Sequence, residues 1–327
     1  MTKPSPRDRF ITALKGEQPT DHVPTFELVY YLTMELLGKV HPSHRTFSQW
    51  DQMSRREKDR QIADMGQTYV ATARHYGHSA IFLHGTAGIP DTETLVAQWI
   101  RENTGNEFFL MRHGDATIGM PNGDDMEAFS YRLADEADAM KRRASQDVDH
   151  ALRWAEAWAG QGIIDGFALC TDYCLNTGPF LSPSQFEEFV TPYLARLCAG
   201  YRDMGYYVIK HTDGNIMPII DQLVQARPHA LHSLDPQAGV DIAEVKRRFG
   251  RQVCLIGNVN CGLLQTGTDQ EVVESCRYAL RSGMPGGGYI FSTSNCVYTG
   301  MAMERYDLML DVWRAEGVYP EGGTGRP

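Results

Sequence analysis

At 327 residues with a formal net charge of −10, the chain can bury one large core and is too acidic for non-specific nucleic-acid binding, which needs lysine and arginine to neutralise phosphates. No apolar run approaches the ~20 residues that span a bilayer, so no membrane segment is expected. The seven cysteines are odd in number and irregular in spacing, and no apolar leader opens the chain; both features read as reduced thiols in a cytoplasm.

In chain order, residues 8–15 pattern as a helix and 22–29 as a strand carrying Glu27. Residues 55–76 read as a long helix, 79–84 as a strand, and 108–113 with 116–120 as a hairpin. Residues 144–161 read as a helix whose Trp154 and Trp158, four apart, share one face. From residue 166 the pattern alternates. Strands are expected at 166–173, 206–212, 230–234, 253–259 and 289–294. Helices are expected at 183–203, 217–226, 242–249, 269–282 and 303–316. Ser182 is an N-cap for the first of these, with Pro183 at its opening position. The strands are short continuous apolar runs, as befits a sheet covered by helices. Counting gives about eight parallel strands, so a (β/α)8 TIM barrel is expected. It would be a single domain over residues 1–320 with N-terminal helical additions, followed by a flexible tail at 321–327. A doubly wound open sheet is the alternative, but no Gly-x-Gly-x-x-Gly turn follows a first strand to support dinucleotide binding.

Two strand ends concentrate chemistry. Tyr207-Val208-Ile209-Lys210-His211-Thr212-Asp213-Gly214-Asn215 and Tyr289-Ile290-Phe291-Ser292-Thr293-Ser294-Asn295-Cys296 each run from apolar to metal-capable side chains. In a barrel of parallel strands, such ends form the mouth where catalysis occurs. His211 and Asp213 are two apart and face the same way on a strand, so both could reach one ion. Asp213-Gly214 is equally a turn signal, with Asp213 capping the next helix. Cys296 with an imidazole and one oxygen would suit a zinc ion with an open fourth position. Alternatively, Cys296 is a nucleophile and His211 its base. Glu27, Asp172, Tyr173, Asn176, His232, Asp235, Asn258 and Asn260 also fall at strand ends. Each alone reads as a cap or turn; together they suggest a polar pocket. His84 could also point inward. His41 and His44 read as loop residues, and His75 and His78 as helix-end residues.

Several stretches carry a family resemblance in combination. They are Arg9-Phe10-Ile11-Thr12-Ala13-Leu14-Lys15-Gly16 with His22-Val23-Pro24, and Gly178-Pro179-Phe180-Leu181-Ser182-Pro183 with Phe189 and Pro192-Tyr193. His211-Thr212-Asp213-Gly214-Asn215, Gly257-Asn258-Val259-Asn260 and the Asn295-Cys296 turn complete the set. The chain thereby resembles the uroporphyrinogen decarboxylase superfamily, best over residues 166–313. The resemblance implies a (β/α)8 barrel with its cleft at the C-terminal strand ends, and often a homodimer. The decarboxylases themselves carry an Arg-Gln-Ala-Gly-Arg stretch that grips substrate carboxylates. Here the region reads Pro24-Thr25-Phe26-Glu27-Leu28-Val29-Tyr30-Tyr31, with no arginine and an added acid.

The cobalamin-dependent methyltransferase branch is the closer resemblance. Its members bind zinc through a His-x-Cys pair and a later Cys. His211 and Cys296 match, and Asp213 stands where the middle Cys would be. The implied activity is zinc-dependent transfer of a methyl group between a small methylated donor and a corrinoid (cobalamin) protein. His211, Cys296 and Asp213 would hold the metal, while Glu27, Asp172, Asn176, Asn258 and Tyr298 line the substrate pocket. An oxygen ligand in place of sulfur suits activation of an oxygen or amine better than of a thiol. No corrinoid-binding Asp-x-His-x-x-Gly stretch occurs, so cobalamin would ride on a partner or sit directly in the mouth. The alternatives are a decarboxylase or lyase for a non-porphyrin carboxylic acid, with Lys210 or Arg112 as its cation, and a non-catalytic ligand-binding barrel.

Overall fold

A computed structural model describes residues 4–320; the tail expected at 321–327 lies outside the described residues. Seven strands form one parallel sheet: β1 (Ala80–Leu83), β2 (Phe109–His113), β3 (Gly166–Leu169), β4 (Tyr207–His211), β5 (Ala230–His232), β6 (Cys254–Ile256) and β7 (Tyr289–Ile290). Their spatial order is their chain order, with register pairs such as Ala80 with Phe109, Gly166 with Tyr207, and Ile209 with Ala230.

The two edges of this sheet meet at Thr25. Phe291 N–H donates to Pro24 O at 2.9 Å, Thr25 pairs in parallel with Phe291, and Ser79 N–H donates to Thr25 O at 2.6 Å. This segment takes the place of an eighth strand and closes the ring. The strand expected at 22–29 is therefore broken into isolated bridges at His22, to Val318, and at Thr25, plus the pair Val29–Tyr30, which adds to Cys296–Val297. Pro24 has no N–H to extend the ladder.

Side chains alternate between two cores. Phe26, Phe82, Phe109, Met111, Ala168, Ile209, Ala230 and Ile256 fill the barrel interior. Ile81, Leu110, Phe167, Val208, Leu231 and Leu255 pack outward under the helices. Burial on both faces explains why the strands read as unbroken apolar runs. The helix Pro6–Leu14 plugs one end, its Phe10 ring lying 5.3 Å from Phe26 and 4.8 Å from Phe109.

The helices Arg55–Tyr76, Ile242–Phe249 and Met303–Glu316 have the expected bounds. Three further expectations are corrected. The hairpin at 108–120 does not form: β2 pairs in parallel with β1 on one side and β3 on the other, and residues 116–120 are loop. Phe109, Leu110 and Met111 are fully buried, as a central strand demands. The helix at 183–203 is split at Val190 into Pro183–Phe189 and Thr191–Asp203. Pro192 has no N–H to continue the first helix and sits comfortably in the first turn of the second. The helix at 144–161 runs instead over Ala137–Glu156. Among the described residues, no helix is long and apolar enough to cross a membrane.

Candidate metal centre

Three side chains converge where β3 and β4 end. Asp172 follows β3, His211 is the last residue of β4, and Asp213 lies two residues on. One donor atom from each lies within 4.8 Å of the others. His211 Nε2 is 3.6 Å from Asp213 Oδ1 and 4.0 Å from Asp172 Oδ1. These separations are too long for hydrogen bonds. They suit donors that each stand about 2.0–2.2 Å from a shared ion.

The loop is built to present them. Asp213 N–H donates to Asp172 Oδ1 at 2.9 Å, tying the two strand ends together. Ser233 Oγ donates to Asp213 Oδ1 at 2.9 Å, and Asn295 Nδ2 to Oδ2 at 2.5 Å. Gly214 turns the chain away at φ 80°, and a Cβ there would stand 2.6 Å from Cys174 O and 2.7 Å from Leu175 O. Only glycine fits that position without strain.

Burial lowers the pKa of His211 despite Asp213 and Asp172, so its imidazole is neutral and has a lone pair to offer. Burial likewise raises Asp213, against the pull of His211. Behind His211 lies a buried polar chain. His211 Nδ1 is 2.7 Å from His232 Nδ1, and His232 Nε2 is 3.5 Å from Ser292 Oγ. Ser292 Oγ donates to Glu27 Oε2 at 3.2 Å, and Thr293 Oγ1 to the same oxygen at 2.5 Å. Tyr306 OH donates to Glu27 Oε1 at 3.3 Å and meets His78 Nε2 at 2.8 Å. Burial pushes the Glu27 carboxyl up to about 8, outweighing its hydroxyl donors.

The other expected site residues are spread around this centre. Cys296 is half-buried in the two-residue strand beside Val29, with its thiol pushed up to about 12 by burial. It is not among the three donors that converge, although its neighbour Asn295 holds Asp213. Asn258 is buried and donates to Leu234 O at 2.8 Å, bracing the loop after β5. Asn176 is exposed between the short strands Cys174–Leu175 and Gly178–Pro179. Tyr298 OH donates to Gln265 Oε1 at 2.6 Å.

Both candidate cations are already paired outside the barrel. Lys210 is fully buried, 2.9 Å from Asp115 Oδ2 and 4.1 Å from the centre of the Tyr173 ring. Arg112 is paired with Asp91 and stacks 4.0 Å above Trp154.

One feature of the mouth was largely missed in the sequence. The Tyr31 ring lies 4.3 Å from His44 and 5.0 Å from His41, and His84 lies 5.6 Å from His113. His113 ends β2 as His211 ends β4, a parallel hidden by the expectation of a hairpin.

Residues 163–315 match the family model described as uroporphyrinogen decarboxylase. No curated protein matches the chain in sequence. Among solved structures, a methyltransferase from Methanosarcina mazei aligns with a TM-score of 0.72 at 16% identity, covering 95% of this chain and 98% of that one. A Listeria monocytogenes protein described as a vitamin-B12 independent methionine synthase aligns with a TM-score of 0.52 at 12% identity, covering 90% of this chain and 95% of that one. At such identities the likeness is one of fold.

Proposed function

From the premise that residues 163–315 carry a uroporphyrinogen decarboxylase family domain, in a barrel shaped like that of a methyltransferase, we propose that this chain is a metal-dependent methyltransferase. It moves a methyl group between a small methylated donor and a corrinoid held by a partner protein. The observation that carries the reading is the convergence of Asp172, His211 and Asp213 at the mouth.

The donor set fits a dication. One neutral imidazole and two carboxylates offer nitrogen and oxygen, a set that suits zinc and leaves room for a substrate atom. When bound, zinc would supply Lewis acidity that draws electron density from a coordinated heteroatom. The protein's own contribution is positional. Ser233 and Asn295 hold the two oxygens of Asp213, and the Asp213 backbone fixes Asp172. Cys296 faces the same region, where a bound cation would bring its raised thiol pKa down.

The mouth also bears on the donor. Lys210 and Arg112, the cations proposed for the lyase alternative, are already paired with acids outside the barrel. A substrate rich in carboxylates finds neither available, whereas a methylated ether or amine needs no such partner. A cytoplasmic homodimer belongs to the same proposal.

Metal content tests the reading first. The wild type, loaded with zinc and dialysed, is expected to retain near-stoichiometric metal by mass spectrometry, with His211→Ala losing it. Retention in Cys296→Ser with loss in Asp172→Asn would assign the third donor to Asp172; the reverse would assign it to Cys296. Conversion of cob(I)alamin to methylcobalamin by the loaded protein, across a panel of methylated ethers and amines, then tests the transfer. Failure to bind metal would refute the metal centre, and metal-loaded protein inert toward the whole panel would count against methyl transfer.

A further inference from the structure

His232 ends β5 and meets His211 inside the barrel, both rings buried and their Nδ1 atoms 2.7 Å apart. Two ring nitrogens that close share one proton, one donating and the other accepting. His211 aims its Nε2 at Asp213 and Asp172, at 3.6 and 4.0 Å. A ring nitrogen that takes a cation must offer its lone pair, so the proton of a metal-holding His211 sits on Nδ1. His232 Nδ1 is then the acceptor, and its own proton sits on Nε2. That atom faces Ser292 Oγ at 3.5 Å, and Ser292 Oγ in turn donates to Glu27 Oε2 at 3.2 Å. Phe26 packs edge-on against the His232 ring, with centroids 5.9 Å apart. Donor follows acceptor in one direction along the whole chain, from His211 to Glu27.

We infer that His232 is a positioning residue for the metal centre. It accepts the Nδ1 proton of His211 and so holds the Nε2 lone pair toward the two carboxylates. Ser292 and Glu27 hold His232 in that orientation. This rests on the metal reading above. Groups that orient a metal-binding histidine through its far nitrogen typically change affinity by about 10–100-fold when removed. A histidine that merely fills space would change stability and leave affinity alone.

The experiment compares zinc affinity in the wild type, His232→Ala and His232→Asn by competition with a chromogenic chelator, with Tm recorded for each. Asparagine places its side-chain oxygen where Nδ1 stands and so restores an acceptor. The expected result is affinity weakened about 10–100-fold in His232→Ala and largely recovered in His232→Asn. Nitrogen-15 NMR of the zinc-loaded wild type is expected to show His211 protonated on Nδ1 and coordinated through Nε2. If His232→Ala fails to fold, the NMR assignment and the asparagine variant still decide the matter. Equal affinity in a folded His232→Ala, or coordination of His211 through Nδ1, would overturn the role of His232 alone. A wild type that binds no zinc would overturn this inference together with the metal centre.

Discussion

Lys210 and His211 are neighbours in sequence and part company in space. Alternation along β4 sends His211 into the barrel and Lys210 outward against Asp115. Lys210 also donates to Thr171 O at 2.8 Å, and Asp115 accepts from Thr117 Oγ1 at 2.6 Å and Thr171 N at 3.0 Å, so both charges are well satisfied. Asp115→Asn would leave a buried ammonium without its counterion, at a cost of about 3–5 kcal/mol. Urea denaturation reads this directly; a loss below about 1 kcal/mol would show that the pair is dispensable. Burial alone would raise the pKa of Asp115, but Lys210 and Thr117 outweigh it and the net shift is downward. Its stabilisation is therefore complete above the unfolded carboxylate pKa and lost as pH falls through the depressed folded value. The same alternation was readable in the sequence for His211 and Asp213. What could not be read was that Lys210 already had a partner 95 residues away.

At the scale of elements, the site depends on how strands stop and helices start. The turn after Asp213 closes against Cys174 and Leu175, and only a residue without Cβ passes there. Gly214→Ala is expected to cost about 1–3 kcal/mol from the left-handed backbone and the close carbonyls, and to displace Asp213. Isothermal titration with zinc should show weakened binding beyond the fall in Tm; unchanged binding would mean the loop tolerates the side chain. The helix Pro183–Phe189 starts with a reciprocal cap, Gln185 N donating to Ser182 Oγ at 3.3 Å and Ser182 N to Gln185 Oε1 at 3.0 Å. Ser182→Ala should cost about 1 kcal/mol in thermal unfolding and leave metal affinity unchanged, because the cap lies outside the centre. Caps of this kind are local and were legible. The break at Val190 was not anticipated, although Pro192 already signalled it in the sequence.

At the scale of the whole molecule, the packing of loops and helices around the barrel buries histidines away from most solvent. Burial holds His41 down to about 2 and His78 down to about 3, and both are nearly inaccessible. A depressed histidine is neutral in the folded state while the unfolded chain takes up a proton near pH 6.5. Its stabilisation is complete above that value and lost as pH falls below it toward the folded pKa. The two together contribute about 4 kcal/mol to a lower unfolding free energy at pH 5 than at pH 7, a share that His84 and His229 enlarge and the raised Glu27 carboxyl opposes. Urea titrations at the two pH values on the wild type and His78→Phe isolate one of these shares; an unchanged difference between pH 5 and pH 7 in the variant would mean that the His78 imidazole is not shielded. His78→Phe should reduce the difference between the two pH values by about 2 kcal/mol.

The amino-acid order made legible the alternation of strands and helices from residue 166 onward, apart from the break at Val190, and placed His211 and Asp213 on one side of one strand end. Those features depend on periodicity, caps and neighbours a few residues apart, which the chain carries locally. Tertiary structure alone decided which groups meet. It set Asn295 on Asp213 across 82 residues, Thr293 on Glu27 across 266, and Asp172 beside His211 and Asp213. It also broke an expected first strand into short pairings, of which the bridge at Thr25 closes the barrel. Such contacts exist only once the sheet has curled round, because closure brings together strand ends that no local pattern relates.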